Sequence, residues 1–171
     1  MSIFPNPSPG ERNVYRAQAL VEFALIVPVM LLLTLGLIDL GRAFIFGVSV
    51  QEGARQAARV AANVVSDSSI DDTRVIGRLV NASNPALCQG PTSTSQSCNG
   101  ANWTISVSVA NGASTYTSIA NAKANNALVS GAKVTVTATG SVALLPGVST
   151  GIYGLTLPQI GVQGQSAMVI L

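Results

Sequence analysis

The longest apolar pattern in the chain runs from Ala17 to Ile38, and Glu22 is its single charged residue. A membrane-spanning helix needs about 17–25 apolar residues, so this run is long enough. The uncharged part, Phe23–Ile38, would rise only about 24 Å as a helix, which is less than a hydrocarbon core of about 30 Å. We therefore predict that the span includes Ala17–Val21. Glu22 then lies in or near the membrane, where a carboxylate must be neutralised or paired.

Helical character is predicted to continue beyond the membrane. Leu40–Val65 contains no proline and repeats apolar residues at steps of three or four, which indicates an amphipathic stalk in one helix with the span, about Gln18–Val65. Pro28 inside this helix is expected to kink or locally unwind it. Gly36 and Gly41 allow two interpretations: simple tolerance, or close approach of another helix in the membrane.

The rest of the chain predicts a short helix followed by strands. Ser69 followed by Asp72 resembles an N-cap with its capping partner, and apolar residues at helical spacing then extend to about Asn81. Residues 118–129 fit either a small helix or a polar loop. Alternation of apolar and polar residues predicts three strands, at Trp103–Val109, Lys133–Val142 and Ile160–Leu171.

These elements predict an α+β fold. It consists of a long N-terminal membrane-spanning helix that continues as an amphipathic stalk, a short second helix, and a small antiparallel sheet of about three strands packed on the stalk. The domain boundaries follow from the same pattern. Residues 1–16 form a leader or disordered N-terminus, because prolines in Met1–Asn13 disfavour a regular element. Residues 17–40 are the transmembrane helix, and residues 41–171 form an extracytoplasmic domain with the stalk to about 65 and β-rich structure from about 103.

Composition excludes several classes of function. Charged residues make up 9% of the chain, its net charge is +2, and its arginines are scattered, so we expect no nucleic-acid partner. The chain has no histidine and few carboxylates, so no serine or cysteine has an evident base. Two cysteines make a poor zinc site, which needs about four ligands. We predict no enzymatic activity, no metal and no cofactor.

The two cysteines bear on localisation. Cys88 and Cys98 lie ten residues apart in a Gly/Pro/Ser/Thr-rich stretch. A disulfide closing this short loop is favoured over two free thiols, and it would place the C-terminal part outside the cytoplasm. Positive residues flank both ends of the span and do not fix its orientation. The cysteine loop and the Ser/Thr-rich tail favour a cytoplasmic N-terminus and a single-pass topology. A cleaved signal peptide is the alternative, although the run is long for one.

Two short segments of the apolar helix resemble a known family. The chain reads QALVEFALIVP from Gln18 to Pro28 and GLIDLGRAF from Gly36 to Phe44. Together these segments closely resemble the TadE-like family, which are minor pilins or pseudopilins of tight-adherence (Tad/Flp) pilus systems. The resemblance implies that the partners are other pilin or pseudopilin subunits, the Tad assembly platform, membrane lipid and a prepilin peptidase.

The family also implies roles for particular residues. Cleavage by the membrane aspartic prepilin peptidase would fall between Ala17 and Gln18, leaving Glu22 as the fifth residue of the mature chain with Phe23 beside it. Pro28 completes the motif. Ala17 stands where the family usually has glycine. The new ammonium at Gln18, in the same or a neighbouring subunit, would offer Glu22 a counter-charge in hydrocarbon. The alternative is that Glu22 snorkels to the headgroups.

Three functions are therefore compared. The favoured one is a structural, pilin-like membrane protein that takes part in assembly of a type IV-like pilus and reaches the cell surface. The second is a singly anchored extracytoplasmic module that binds a ligand or an envelope component. The third, a membrane-tethered enzyme, lacks a catalytic constellation in the sequence.

Overall fold

The structure is a computed structural model. It describes the backbone of residues 9–88, 93–98, 101–143 and 159–171, and the side chains of residues 18–88, 93–98, 101–142 and 159–171. Its contacts divide the chain into two units, Met1–Ile38 and Asp39–Leu171, and each is described by itself. The elements in chain order are α1 (Pro9–Ala62), α2 (Asp72–Ala82), β1 (Ser95–Cys98), β2 (Ala101–Asn111), β3 (Ser114–Tyr116), α3 (Ile119–Ala124), β4 (Lys133–Ala143) and β5 (Gln159–Val169).

Helix α1 confirms the long N-terminal helix but differs from the prediction at three points. It begins at Pro9, so the expectation of no regular element is wrong for residues 9–13. Proline is tolerated at a helix start, where its missing N–H has no partner to lose. The helix is continuous through Pro28, so the expected local unwinding is absent, while a kink there stays a prediction. It ends at Ala62, where Asn63 N–H donates to Val60 O at 3.2 Å and tightens the last turn.

Helix α2 confirms the short second helix, but its predicted cap is wrong. Asp71 is the N-cap, and its side chain accepts from the backbone N–H of Arg74 at 2.8 Å. Ser69 lies outside the helix because its own N–H donates to the Asp67 carboxylate at 2.9 Å. Asp71 thus takes the N-cap position that Ser69 was expected to fill.

The sheet is antiparallel and has five strands rather than about three, in the order β1-β2-β4-β5 with β3 also paired to β2. The three predicted strands correspond to β2, β4 and β5. Strands β1 and β3 are additional; they are only four and three residues long and carry no long alternation. The stretch 118–129, which fitted either a helix or a loop, contains the six-residue helix α3 with Ser118 as its N-cap.

The stalk part of α1 packs on the sheet through small residues, as predicted. Val50 and four alanines on this face are completely buried: Ala54, Ala57, Ala58 and Ala61. Because these side chains are short, strand β5 comes so close that a Cβ on Gly164 would lie 2.7 Å from Val50 O. Helix α2 adds the buried residues Val75, Ile76, Leu79 and Val80 to the same core.

The core centres on Trp103, the single tryptophan of the chain, which is fully buried. Trp103 on β2 lies directly opposite Gly140 on β4. A Cβ at Gly140 would collide with the indole ring atoms Cε3 and Cδ2. Gly140 is therefore a steric requirement of the core, because it leaves the space that the tryptophan ring fills.

We predict that Gly140→Ala destabilises the protein by about 1–3 kcal/mol, the range for overpacking a well-filled core. Urea unfolding of the full chain in detergent micelles, followed by Trp103 fluorescence, measures the change. Gly161→Ala is the matched control in the same sheet, because a Cβ there meets nothing within 4 Å. Equal unfolding midpoints for the two variants would contradict this role of Gly140.

Candidate assembly segment

The structure brings together two of the predicted site residues near the start of α1. The Gln18 side-chain amide donates a hydrogen bond to Glu22 Oε1 at 3.1 Å. This contact follows from helical geometry, since residues four apart lie on the same side of a helix. The peptide bond between Ala17 and Gln18 lies within the helical backbone. Gln18, whose backbone nitrogen belongs to this peptide bond, therefore lies about one helical turn before Glu22.

Helix α1 exposes apolar side chains on all sides between Leu20 and Ile38. Phe23, the aromatic residue beside Glu22, is 67% exposed. Within the residues that the structure describes, this is the one helix long and apolar enough to cross a membrane. The Thr34 hydroxyl donates to the carbonyls of Met30 and Leu31, both at 3.0 Å. The Thr34 hydroxyl thus has its hydrogen-bond partners inside the helix, as a hydrocarbon environment requires.

Cys88 and Cys98 are joined in a disulfide with a Cα–Cα distance of 5.7 Å. Cys98 is buried at the end of β1, and Leu87, beside Cys88, is also buried. The bond therefore ties the segment after α2 to the first strand of the sheet. Among the described residues, no group of three or more His, Cys, Asp or Glu side chains could hold a metal ion.

The family model for TadE-like protein matches residues 17–59. This N-terminal segment is TadE-like. Comparisons with curated proteins and with solved structures give no significant match. The TadE-like segment contains the predicted site residues of α1, namely Ala17, Gln18, Glu22, Phe23 and Pro28. It ends within the stalk, so α2 and the sheet lie outside it.

The TadE-like segment also holds two charged residues, Asp39 and Arg42, and sequence reasoning missed the burial of Asp39. Asp39 is only 6% exposed, and Arg42 lies over the ring of buried Phe46 at 5.9 Å from the centroid. In the sequence these charges only mark the end of the apolar run. The available signal was their position directly after that run. A buried carboxylate must be compensated by neighbouring groups, and Asp39 does interact with other groups of the structure.

Two of the glycines in the TadE-like segment, Gly36 and Gly41, are not required by packing against the described residues. A Cβ added at Gly36 or at Gly41 would meet no atom within 4 Å. Both interpretations, tolerance and approach of another helix, therefore stay open.

Outside the TadE-like segment, Asp67 organises a polar cluster that was not predicted. Its carboxylate accepts hydrogen bonds from the Ser69 hydroxyl at 2.6 Å, from the Ser69 N–H at 2.9 Å and from Arg74 Nη1 at 3.2 Å. The Ser69 hydrogen bonds, assisted by the charge of Arg74, lower the pKa of the Asp67 carboxyl from its ordinary value of 3.8. The cluster joins the turn after α1 to the first turn of α2.

Asp67→Asn is expected to lower stability in a pH-dependent way. The pKa of Asp67 is lowered in the folded state, so the carboxylate stabilises the fold above its ordinary pKa of 3.8. That contribution is lost as the pH falls through the folded value. The difference in free energy of unfolding between wild type and variant should therefore be largest near neutral pH and shrink below about pH 4. Urea unfolding across this range measures it.

Ser68→Ala is the control, because the described side-chain hydrogen bonds of Asp67 do not involve Ser68. Ser69→Ala, which removes the strongest hydrogen bond, should raise the Asp67 pKa in a carboxyl NMR titration. Parallel pH profiles for wild type and Asp67→Asn would contradict the assignment.

Proposed function

We propose that the chain is a minor pilin or pseudopilin that takes part in assembly of a tight-adherence, type IV-like pilus. The observation that carries this proposal is the TadE-like match over residues 17–59, on a helix that exposes its apolar side chains and carries Glu22 near its start. The function is structural. The apolar half of α1 holds the chain in the membrane, and helix–helix packing joins it to other subunits.

We further propose a single-pass topology with the N-terminus in the cytoplasm and residues 41–171 outside it. The disulfide between Cys88 and Cys98 supports this orientation, because disulfides persist in oxidising compartments. The surface charge of the sheet region is also low: Lys123 and Lys133 are the only charged residues after Leu79. Subunits released into a pilus would carry this domain to the cell surface.

Processing is proposed at the bond between Ala17 and Gln18. This bond lies within α1 in the uncleaved chain. A peptidase has to reach the scissile carbonyl, which a helix engages in a backbone hydrogen bond. Cleavage therefore requires that the first turns of α1 unwind, and the small side chain of Ala17 fits a site that usually receives glycine.

We predict that the mature protein begins at Gln18 in cells that hold the cognate prepilin peptidase. Intact mass and N-terminal sequencing of membrane-extracted protein measure this. Ala17→Gly should be cleaved at least as completely, whereas Ala17→Leu should remain uncut because its larger side chain does not fit. A chain that keeps residues 1–17 in those cells would contradict processing and favour the alternative, a singly anchored module that is not incorporated into a filament.

Glu22 is proposed to pair with the ammonium that cleavage creates at residue 18. In the uncleaved chain the side-chain amide of Gln18, the residue whose backbone nitrogen would become the ammonium, donates to Glu22 Oε1 at 3.1 Å. A partner subunit's ammonium at this depth would offset the cost of the carboxylate in hydrocarbon and fix the axial register of the subunits. Gly36 and Gly41 leave room for such close helix approach, since no atom of the described residues would lie within 4 Å of a Cβ there.

Glu22→Ala and Glu22→Gln are both expected to reduce incorporation into the pilus or its assembly complex by roughly tenfold or more, because each leaves the ammonium without its counter-charge. Quantitative immunoblotting of the pilus fraction against the membrane fraction measures this. Glu52→Gln is the control, since Glu52 lies on the exposed stalk and pairs with Arg55 at 3.8 Å. Normal incorporation of Glu22→Gln at normal membrane abundance would contradict the pairing.

A further inference from the structure

One long edge of the sheet is only partly covered. In the described part of the chain, β5 pairs with β4 alone and lies at the end of the strand order. At Gln165, the backbone N–H donates to Gln51 Oε1 at 3.1 Å, and the carbonyl accepts from Gln51 Nε2 at 2.9 Å. The side chain of Gln51 on α1 thus takes the place of a neighbouring strand at this residue.

This contact shows which backbone groups of β5 point outward. In an antiparallel pair, alternate residues direct both N–H and C=O away from the partner strand. Gln165 does so, and Gly161 and Gln163 therefore do the same. Ile170, of the opposite parity, bonds to the β4 side through Ala132 O at 2.8 Å. Gly161 and Gln163 have no hydrogen-bond partner for these outward groups among the residues described.

A groove of about 690 Å³ runs along this open stretch of the edge. Its wall on α1 includes Leu40, Phe44 and Val48, which are spaced four residues apart and exposed by 58%, 73% and 56%. Its wall on β5 includes Gly161 and Gln163. Apolar side chains and unpaired backbone groups therefore face the same space.

Two glycines line this groove without being needed by the fold. A Cβ at Gly161 would meet nothing within 4 Å, and one at Gly47 would make only an ordinary contact of 3.7 Å with Val162 Cγ1. By contrast, Gly164 is required, because a Cβ there would lie 2.7 Å from Val50 O. Glycine within a helix or strand costs roughly 0.5–1 kcal/mol relative to alanine. At Gly161 the missing side chain leaves room for another backbone to come close.

We propose that this groove binds an extended, uncharged segment of another polypeptide, which adds to β5 as a further strand. The outward N–H and C=O groups of Gly161 and Gln163 require a backbone with free donors and acceptors. A helix has already used its own, and a lipid chain has none. Alternate apolar side chains of the incoming strand would contact Leu40, Phe44 and Val48.

Charge and length define the segment further. The charged lining residues, Glu52 and Arg55, pair with each other at 3.8 Å, so the groove offers no unmatched charge to a ligand. Gln51 closes the edge at Gln165, which limits the added strand to about five residues. The inference goes beyond the proposed function, since it holds whether or not the chain enters a filament.

Amide hydrogen exchange on the full chain in detergent micelles tests the proposal. The probe is the capped pentapeptide Val-Thr-Val-Thr-Ala, the sequence of residues 134–138 in β4, the strand that β5 already pairs with on its other edge. The amides of Gly161 and Gln163 should exchange rapidly in the protein alone and about tenfold more slowly with saturating peptide. The Val162 amide, which faces β4, should be protected in both states.

Gly161→Pro is the decisive variant, because it removes an outward N–H while leaving the bonds to β4 in place. It should abolish the peptide-induced protection of Gln163, and Gly161→Ala, which keeps the N–H, should retain it. Equal unfolding midpoints for the two variants verify the fold. Unchanged protection in Gly161→Pro would overturn the proposal. Slow exchange at Gly161 and Gln163 without peptide would also overturn it. Slow exchange that does not depend on protein concentration would mean that the edge is already covered, and protection that increases with protein concentration would mean that a second copy covers it.

Discussion

A single helix has to satisfy two different surroundings, and the rest of the structure depends on how its sequence does so. From Leu20 to Ile38, α1 exposes large apolar side chains on all sides. A helix can enter hydrocarbon in this way because its backbone hydrogen bonds are internal. From Ala43 onward the same helix buries one face, and a sheet whose described strands contain one charged residue, Lys133, covers that face. The change in pattern after Ile38 thus separates an anchor from a packed domain.

In the part of α1 that packs on the sheet, the residues facing the sheet are mostly small, so the helix and the sheet come close together. Val50 and the alanines of the stalk face bring α1 near enough for Gly164 to lie against the Val50 backbone. The largest fully buried side chain comes from the sheet, where Trp103 occupies the space that Gly140 leaves. The short side chains on this face of α1 let the helix approach the sheet closely, and the glycine opposite the tryptophan makes room for the indole ring within the core.

Sequence reasoning succeeded where a pattern is long and failed where a contact is local or distant. The alternation in β2, β4 and β5 runs over many residues and predicts strands reliably. Strand β3 is too short to alternate, although Asn111-Gly112 was an available turn signal, and Gly112 indeed has a φ of +60°. Asp71 rather than Ser69 caps α2 because Asp67 engages Ser69. The contact of Gln51 with Gln165 spans 114 positions, and no periodicity indicates it.

The two edges of the sheet differ in a way that bears on association. On one side, β2 is followed only by the short strands β1 and β3, and short edge strands limit pairing with other chains. On the other side, β5 is eleven residues long and contains no charged residue and no proline. Proteins usually protect such an edge with lysine, proline or a covering element. Here α1 covers the edge at Gln165 through Gln51, but Gly161 and Gln163 lie beside an open apolar groove. Among the described residues nothing else protects this stretch, and an unprotected edge beside exposed apolar side chains is an aggregation risk in a free monomer. Pairing with a partner strand would remove that risk.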